Sequence, residues 1–84
     1  MKNKILVDIF VPTINQTFNI FIPVNKSVGE ILQILNKTIN ELTEGEFPIS
    51  NNLSLINLNT GTIYSLEYSV KNNKILNGSK LILI

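Results

Sequence analysis

The acidic residues in this 84-residue chain that could carry acid–base chemistry are six carboxylates: Asp8, Glu30, Glu41, Glu44, Glu46 and Glu67. Histidine and cysteine are both absent, so the commonest general base and the usual imidazole or thiolate metal ligands are missing. Glu41, Glu44 and Glu46 lie close together and pose the question of a cation site. Their spacing does not follow a calcium-binding loop, and a solvated helix end accounts for them. Ser27 has the type of a nucleophile, but no histidine is present to activate it. We therefore expect no catalytic residue, no metal site and no cofactor, and read the chain as a non-enzyme.

Five glycosylation-like triplets occur: Asn15-Gln16-Thr17, Asn25-Lys26-Ser27, Asn36-Lys37-Thr38, Asn52-Leu53-Ser54 and Asn77-Gly78-Ser79. They are expected by chance in an asparagine-rich chain without a secretory signal. Met1-Lys2-Asn3-Lys4-Ile5-Leu6-Val7 begins like a leader, but Asp8 interrupts the apolar run and no small-residue cleavage site follows. No stretch reaches the roughly 18–20 apolar residues of a membrane span. The net charge is +1, and every basic residue is a lysine, scattered from Lys2 to Lys80. Without arginine forks or a basic run, nucleic-acid binding is not expected. The hydrophobic content of 44% suits a folded core, and the length suits one domain spanning residues 1–84, expected to be cytoplasmic.

The elements follow from periodicity. Ile5, Val7, Ile9 and Val11 alternate with Leu6, Asp8 and Phe10, which predicts a strand ended by Pro12. Thr13 to Gln16 make a turn, and Thr17 to Ile22 return with Phe18, Ile20 and Ile22 inward until Pro23 closes the strand. Ser27 followed by Glu30 forms a capping box, and Val28, Ile31, Leu32, Leu35, Ile39 and Leu42 recur at helical spacing. Gly45 is the expected C′ residue, with Pro48 beyond it. The helix should run about 15–17 residues, roughly 25 Å, and Gly29 in its first turn should weaken it slightly.

A third strand is predicted at Leu53 to Leu58, with Leu53 and Leu55 inward and Ile56 and Leu58 outward. Asn59-Thr60-Gly61 turns the chain into a short fourth strand, Thr62 to Tyr64. Ser65 to Leu76 reads as a loop turning near Asn72-Asn73 and anchored by Val70 and Ile75. Gly78 permits a tight turn into a last strand, Lys80 to Ile84, with Leu81 and Leu83 on one face. The expected order is β-β-α-β-β-β, an α+β roll in which one helix covers one face of a mixed sheet.

That order resembles the β-grasp fold, and from end to end the chain is similar to ubiquitin-like proteins. Val70-(x4)-Ile75-(x5)-Leu81-Ile82-Leu83 resembles ubiquitin's closing turn and last core strand. Asp8-Ile9-Phe10-Val11-Pro12, Phe18-(x3)-Ile22-Pro23 and Leu76-Asn77-Gly78-Ser79-Lys80-Leu81 look closer to the EsaB/YukD group. That group consists of small ubiquitin-like proteins associated with bacterial type VII (WXG100/LXG) secretion systems. An asparagine- and lysine-rich, arginine-free composition suits an AT-rich Gram-positive genome. Members are said to lack a diglycine tail, as this sequence does. A bulky Leu83-Ile84 ending held in a sheet is not expected to serve conjugation or sulfur carriage.

On these strand phases Leu6, Phe10, Ile56, Leu58, Ile82 and Ile84 point away from the helix, with Asp8 and Lys80 among them. Contiguous apolar residues on an exposed face mark a partner site, and the resemblance implies the same, since ubiquitin is recognised on the corresponding face. The expected function is an accessory or regulatory protein that binds a protein partner, such as a secretion-machinery component, through the open sheet face. The alternatives are a self-associating module, homodimeric or larger, and a degenerate carrier protein without a diglycine tail.

Overall fold

In the computed structural model, which describes residues 3–84, the chain builds a four-stranded sheet in the order β2-β1-β4-β3. Met1 and Lys2, which open the leader-like stretch, lie outside the described residues. Strand β1 (Lys4–Val11) pairs antiparallel with β2 (Gln16–Pro23) over its whole length. A 3₁₀ turn at Pro12–Ile14 joins them, and Asn15 takes the left-handed conformation (φ 51°) that closes it. Strand β4 (Lys80–Leu83) lies parallel to β1, and β3 (Leu55–Asn57) flanks it antiparallel.

Helix α1 (Val28–Leu42) begins where the capping box places it. The Ser27 hydroxyl accepts the Glu30 N–H at 3.2 Å, and the Glu30 carboxylate accepts the Ser27 N–H at 3.2 Å. Two donors that no helical carbonyl can reach are thereby satisfied. The same contacts, with Lys26 3.9 Å away, hold the Glu30 carboxyl below the usual glutamate range. Gly29 has a packing reason the sequence did not disclose. Its N–H donates to the Leu66 carbonyl at 2.9 Å, and a Cβ there would lie 3.2 Å from that oxygen.

Val28, Ile31, Leu32, Leu35 and Ile39 pack against Val7, Ile9 and Val11 of β1, Ile22 of β2, Leu55 of β3, and Leu81 and Leu83 of β4. Phe18, Ile20 and Leu53 pack on the margin of this core, and Val70 and Ile75 anchor the long loop into it. The inward phases expected for β1, β2 and β4, and for Leu53 and Leu55, therefore hold. Two aromatic members of the core, Phe47 and Tyr64, carry no periodic signal because they lie in irregular segments.

Several expectations are corrected. Leu42 is 59% exposed, and the buried helix positions include Asn36 instead. The Asn36 side chain donates to the Ser50 carbonyl at 2.6 Å and accepts the Ser50 N–H at 3.1 Å, so a polar residue at a core-facing position staples the 47–53 loop to the helix. Glu44, at φ 53°, occupies the left-handed C′ position, and Gly45 follows as C″. Glu44 N–H donates to the Glu41 carbonyl at 3.2 Å and Gly45 N–H to the Asn40 carbonyl at 2.8 Å, the bond pattern of a Schellman motif displaced one residue toward the N-terminus.

Thr62 to Tyr64 do not form a strand. They contribute a single bridge, Ile56 to Ile63, and two flanking bonds, Asn57 N–H to Thr62 carbonyl and Tyr64 N–H to Leu55 carbonyl. The Asn57 side chain explains why so short a stretch suffices, since its oxygen accepts the N–H groups of Asn59 and Thr60 and completes the turn locally. Ile84 lies just beyond β4, yet it exchanges both backbone bonds with Ser54.

Candidate protein-binding face

The sheet has one covered side and one bare side, and register decides which residues share the bare one. Phe10 of β1 is opposite Ile82 of β4, and Ile82 is opposite Ile56 of β3. Ile56 is in turn bridged to Ile63. Directly opposed residues point to the same face, so Phe10, Ile82, Ile56 and Ile63 form one apolar row across the sheet. Phe10, Ile56 and Ile82 are half-buried by their neighbours, whereas Ile63 is 66% exposed.

A polar row runs beside it. Asp8 is opposite Lys80 on one side and Asn19 on the other. Lys80 Nζ lies 3.5 Å from an Asp8 carboxylate oxygen, and the Asn19 amide donates to the other oxygen. Both charged side chains remain substantially solvated, so the pair contributes at most about 1 kcal/mol to folding. Its consequence is positional: it fixes a charge pair in the middle of an apolar surface. Between the two rows lies an open depression of about 340 Å³ lined by Asp8, Phe10, Thr17, Leu58, Lys80 and Leu81.

The residues expected on this face are therefore outside the core and on the side away from α1. Phe10, Ile56 and Ile82 share one row, and exposed Leu58 reaches the depression. Leu6 lies along β1 next to Phe21, its partner on β2, which is 51% exposed. Half-exposed Ile84 extends the same phase of β4 beside Ser54. Phe21 and Ile63 complete the surface and were not among the expected residues. Phe21 was legible, because Phe18, Ile20 and Ile22 inward force it outward; Ile63 became assignable only through its bridge to Ile56. The acidic residues Glu41, Glu44 and Glu46 are all exposed, and no group of three or more potential metal ligands occurs among the described residues.

No protein-family model matches the chain, and no curated protein matches it either. Solved structures do. The N-terminal ubiquitin-like domain of the 4931431F19Rik protein is 22% identical with a TM-score of 0.69, over 98% of this chain and 74% of that one. The EccD5 ubiquitin-like domain from Mycobacterium xenopi is 16% identical with a TM-score of 0.78, over 96% and 92%. The fold is ubiquitin-like. A chain of the ESX-5 inner membrane complex gives a TM-score of 0.80 at 16% identity; it matches 98% of this chain, which spans only 21% of that much longer one. Ubiquitin-like domains usually carry no catalysis, and the structural neighbours include the ubiquitin-like domain of the Mycobacterium tuberculosis type VII secretion system protein ECCD1, 16% identical with a TM-score of 0.74 over 96% of this chain and 97% of that one.

Proposed function

We propose that this chain is a non-enzymatic, cytoplasmic accessory or regulatory protein of a bacterial type VII secretion system, binding a protein component of the machine through its open sheet face. The observation that carries this reading is the Phe10-Ile82-Ile56-Ile63 row flanked by the Asp8–Lys80 pair, on a fold similar to domains within ESX assemblies. Two further features support it. An apolar strip with a fixed charge pair at its side offers both burial and orientation to a partner. Covering a few of these side chains contributes roughly 1.5–3 kcal/mol each before association costs, which suits a reversible contact.

The test is genetic and structural together. In a bacterium encoding the chain, its deletion reduces export of WXG100 or LXG proteins. Wild type and Glu46→Lys restore export, and Ile56→Lys does not. Full export by an Ile56→Lys protein that accumulates normally overturns the assignment of this face, and undiminished export after deletion overturns the secretion role itself.

A further inference from the structure

The two edges of the sheet are treated differently. The outer edge of β3 is covered, because Asn57 and Leu55 bond to Thr62 and Tyr64. The outer edge of β2 has no backbone partner among the described residues. Ladder phase shows which of its groups face outward. Val24 N–H donates to the Asn3 carbonyl, and the register opposes Lys4 to Pro23. Bonded and non-bonded positions alternate in an antiparallel pair. Gln16, Phe18, Ile20 and Ile22 therefore bond to β1, while Thr17, Asn19 and Phe21 turn their N–H and carbonyl groups away from it.

Nothing on this edge discourages addition of a strand. Natural edges are blunted by charges, prolines, bulges or brevity. Strand β2 is eight residues long, is paired without interruption, and carries no charged side chain. Its one proline, Pro23, stands at the end, in the outward phase, where its missing N–H marks the limit of pairing. The Asn19 amide is drawn toward Asp8, away from the edge.

We infer that β2 pairs antiparallel with β2 of a second copy of this chain, about a two-fold axis through Asn19. The register follows from the outward groups. Opposing Asn19 to its symmetry mate sets Thr17 against the mate's Phe21 and uses every outward donor, each opposed pair exchanging two bonds. Shifting the axis one step toward Pro23 sets Thr17 against a residue without an N–H. Shifting it the other way opposes Phe21 to Asn15, which has left-handed geometry. In the Asn19 register, Phe18 falls opposite Ile20 on the helix side, an aromatic and β-branched pair of the kind that stabilises sheets. No pair within β2 opposes like charges. A two-fold interface must be self-complementary, and an uncharged strand meets that condition in a way a strand bearing charges of one sign does not. The open face stays free for the partner proposed above.

The chain contains no cysteine, so single-thiol variants report the register directly. Directly opposed bonded residues lie with Cα atoms about 5.5 Å apart, within disulfide reach. Thr17 and its mate are displaced by four residues along the strand, about 13 Å. Under mild oxidation Asn19→Cys forms a disulfide-linked dimer, and Thr17→Cys and Phe21→Cys form no disulfide cross-link. Sedimentation of the wild type from micromolar to millimolar concentration shows a rising dimer fraction. Asn19→Lys, which sets two ammonium groups against each other while keeping a partner for Asp8, stays folded and monomeric, and Ile56→Lys dimerises normally. A wild type that stays monomeric at millimolar concentration overturns the inference. So does equal cross-linking at Thr17 and Asn19, a dimer that survives Asn19→Lys, or one lost in Ile56→Lys.

Discussion

Replacing Glu44 with glycine should stabilise this protein, although glycine substitutions ordinarily do the opposite. Glu44 stands at the C′ position of α1 with φ 53°, is exposed, and makes no side-chain hydrogen bond among the described residues. An L-residue in the left-handed region costs roughly 1–2 kcal/mol. Glycine removes that cost but returns about 0.4–1 kcal/mol through the greater freedom of the unfolded chain. The expected net gain is about 0.5–1 kcal/mol, or an increase of roughly 2–8 °C in Tm for a domain of this size. Part of any gain arises from deleting a negative charge beside the helix C-terminus. Glu44→Gln keeps the strained backbone and removes only that charge, so the difference between the two variants isolates the conformational part. Gly45→Ala supplies the opposite sign: at φ 87° a Cβ there meets nothing within 4 Å, and the loss is backbone strain alone. Urea unfolding with an unchanged slope provides the assay. A Glu44→Gly midpoint at or below that of Glu44→Gln refutes the Schellman assignment.

Asn36→Ala leaves the Ser50 N–H and carbonyl without their partner, and should cost about 1–3 kcal/mol in denaturant unfolding, with faster amide exchange in the 47–53 loop. The Glu30 carboxyl is held below its ordinary range by the Ser27 backbone and side chain. Its contribution is therefore present above the unfolded-state value and lost as pH falls through the lower folded value. An NMR titration should find Glu30 below the ordinary glutamate range, and Ser27→Ala should return it toward that range.

The legibility of this fold follows from where regular periodicity operates. Alternation in β1 and β2 and the 3.6-residue spacing of α1 assigned Val7, Ile9, Ile22, Leu35 and Ile39 to the interior, because each element buries one face along its length. The capping box was legible because it is a contact between residues three apart. What escaped depends on contacts between distant segments. Asn36 is buried only because Ser50 returns to meet it, Gly29 is favoured only because the Leu66 carbonyl approaches it closely, and Ile63 joins the open face through Ile56. The site behaved in the same way. Strand phase was enough to turn Leu6, Phe10, Ile56 and Ile82 away from the helix, but the order β2-β1-β4-β3 was needed to set Phe10, Ile82 and Ile56 in one row.

An NMR titration of isotopically labelled chain with the soluble portion of the type VII secretion component proposed as its partner tests the proposed binding face most directly. The amide signals of Leu6, Phe10, Ile56 and Ile82 should shift or broaden, those of Gln33 and Lys37 on the exposed side of α1 should not, and Ile56→Lys should abolish the effect. Perturbation confined to α1, or none at concentrations near saturation of a reversible contact, contradicts the account.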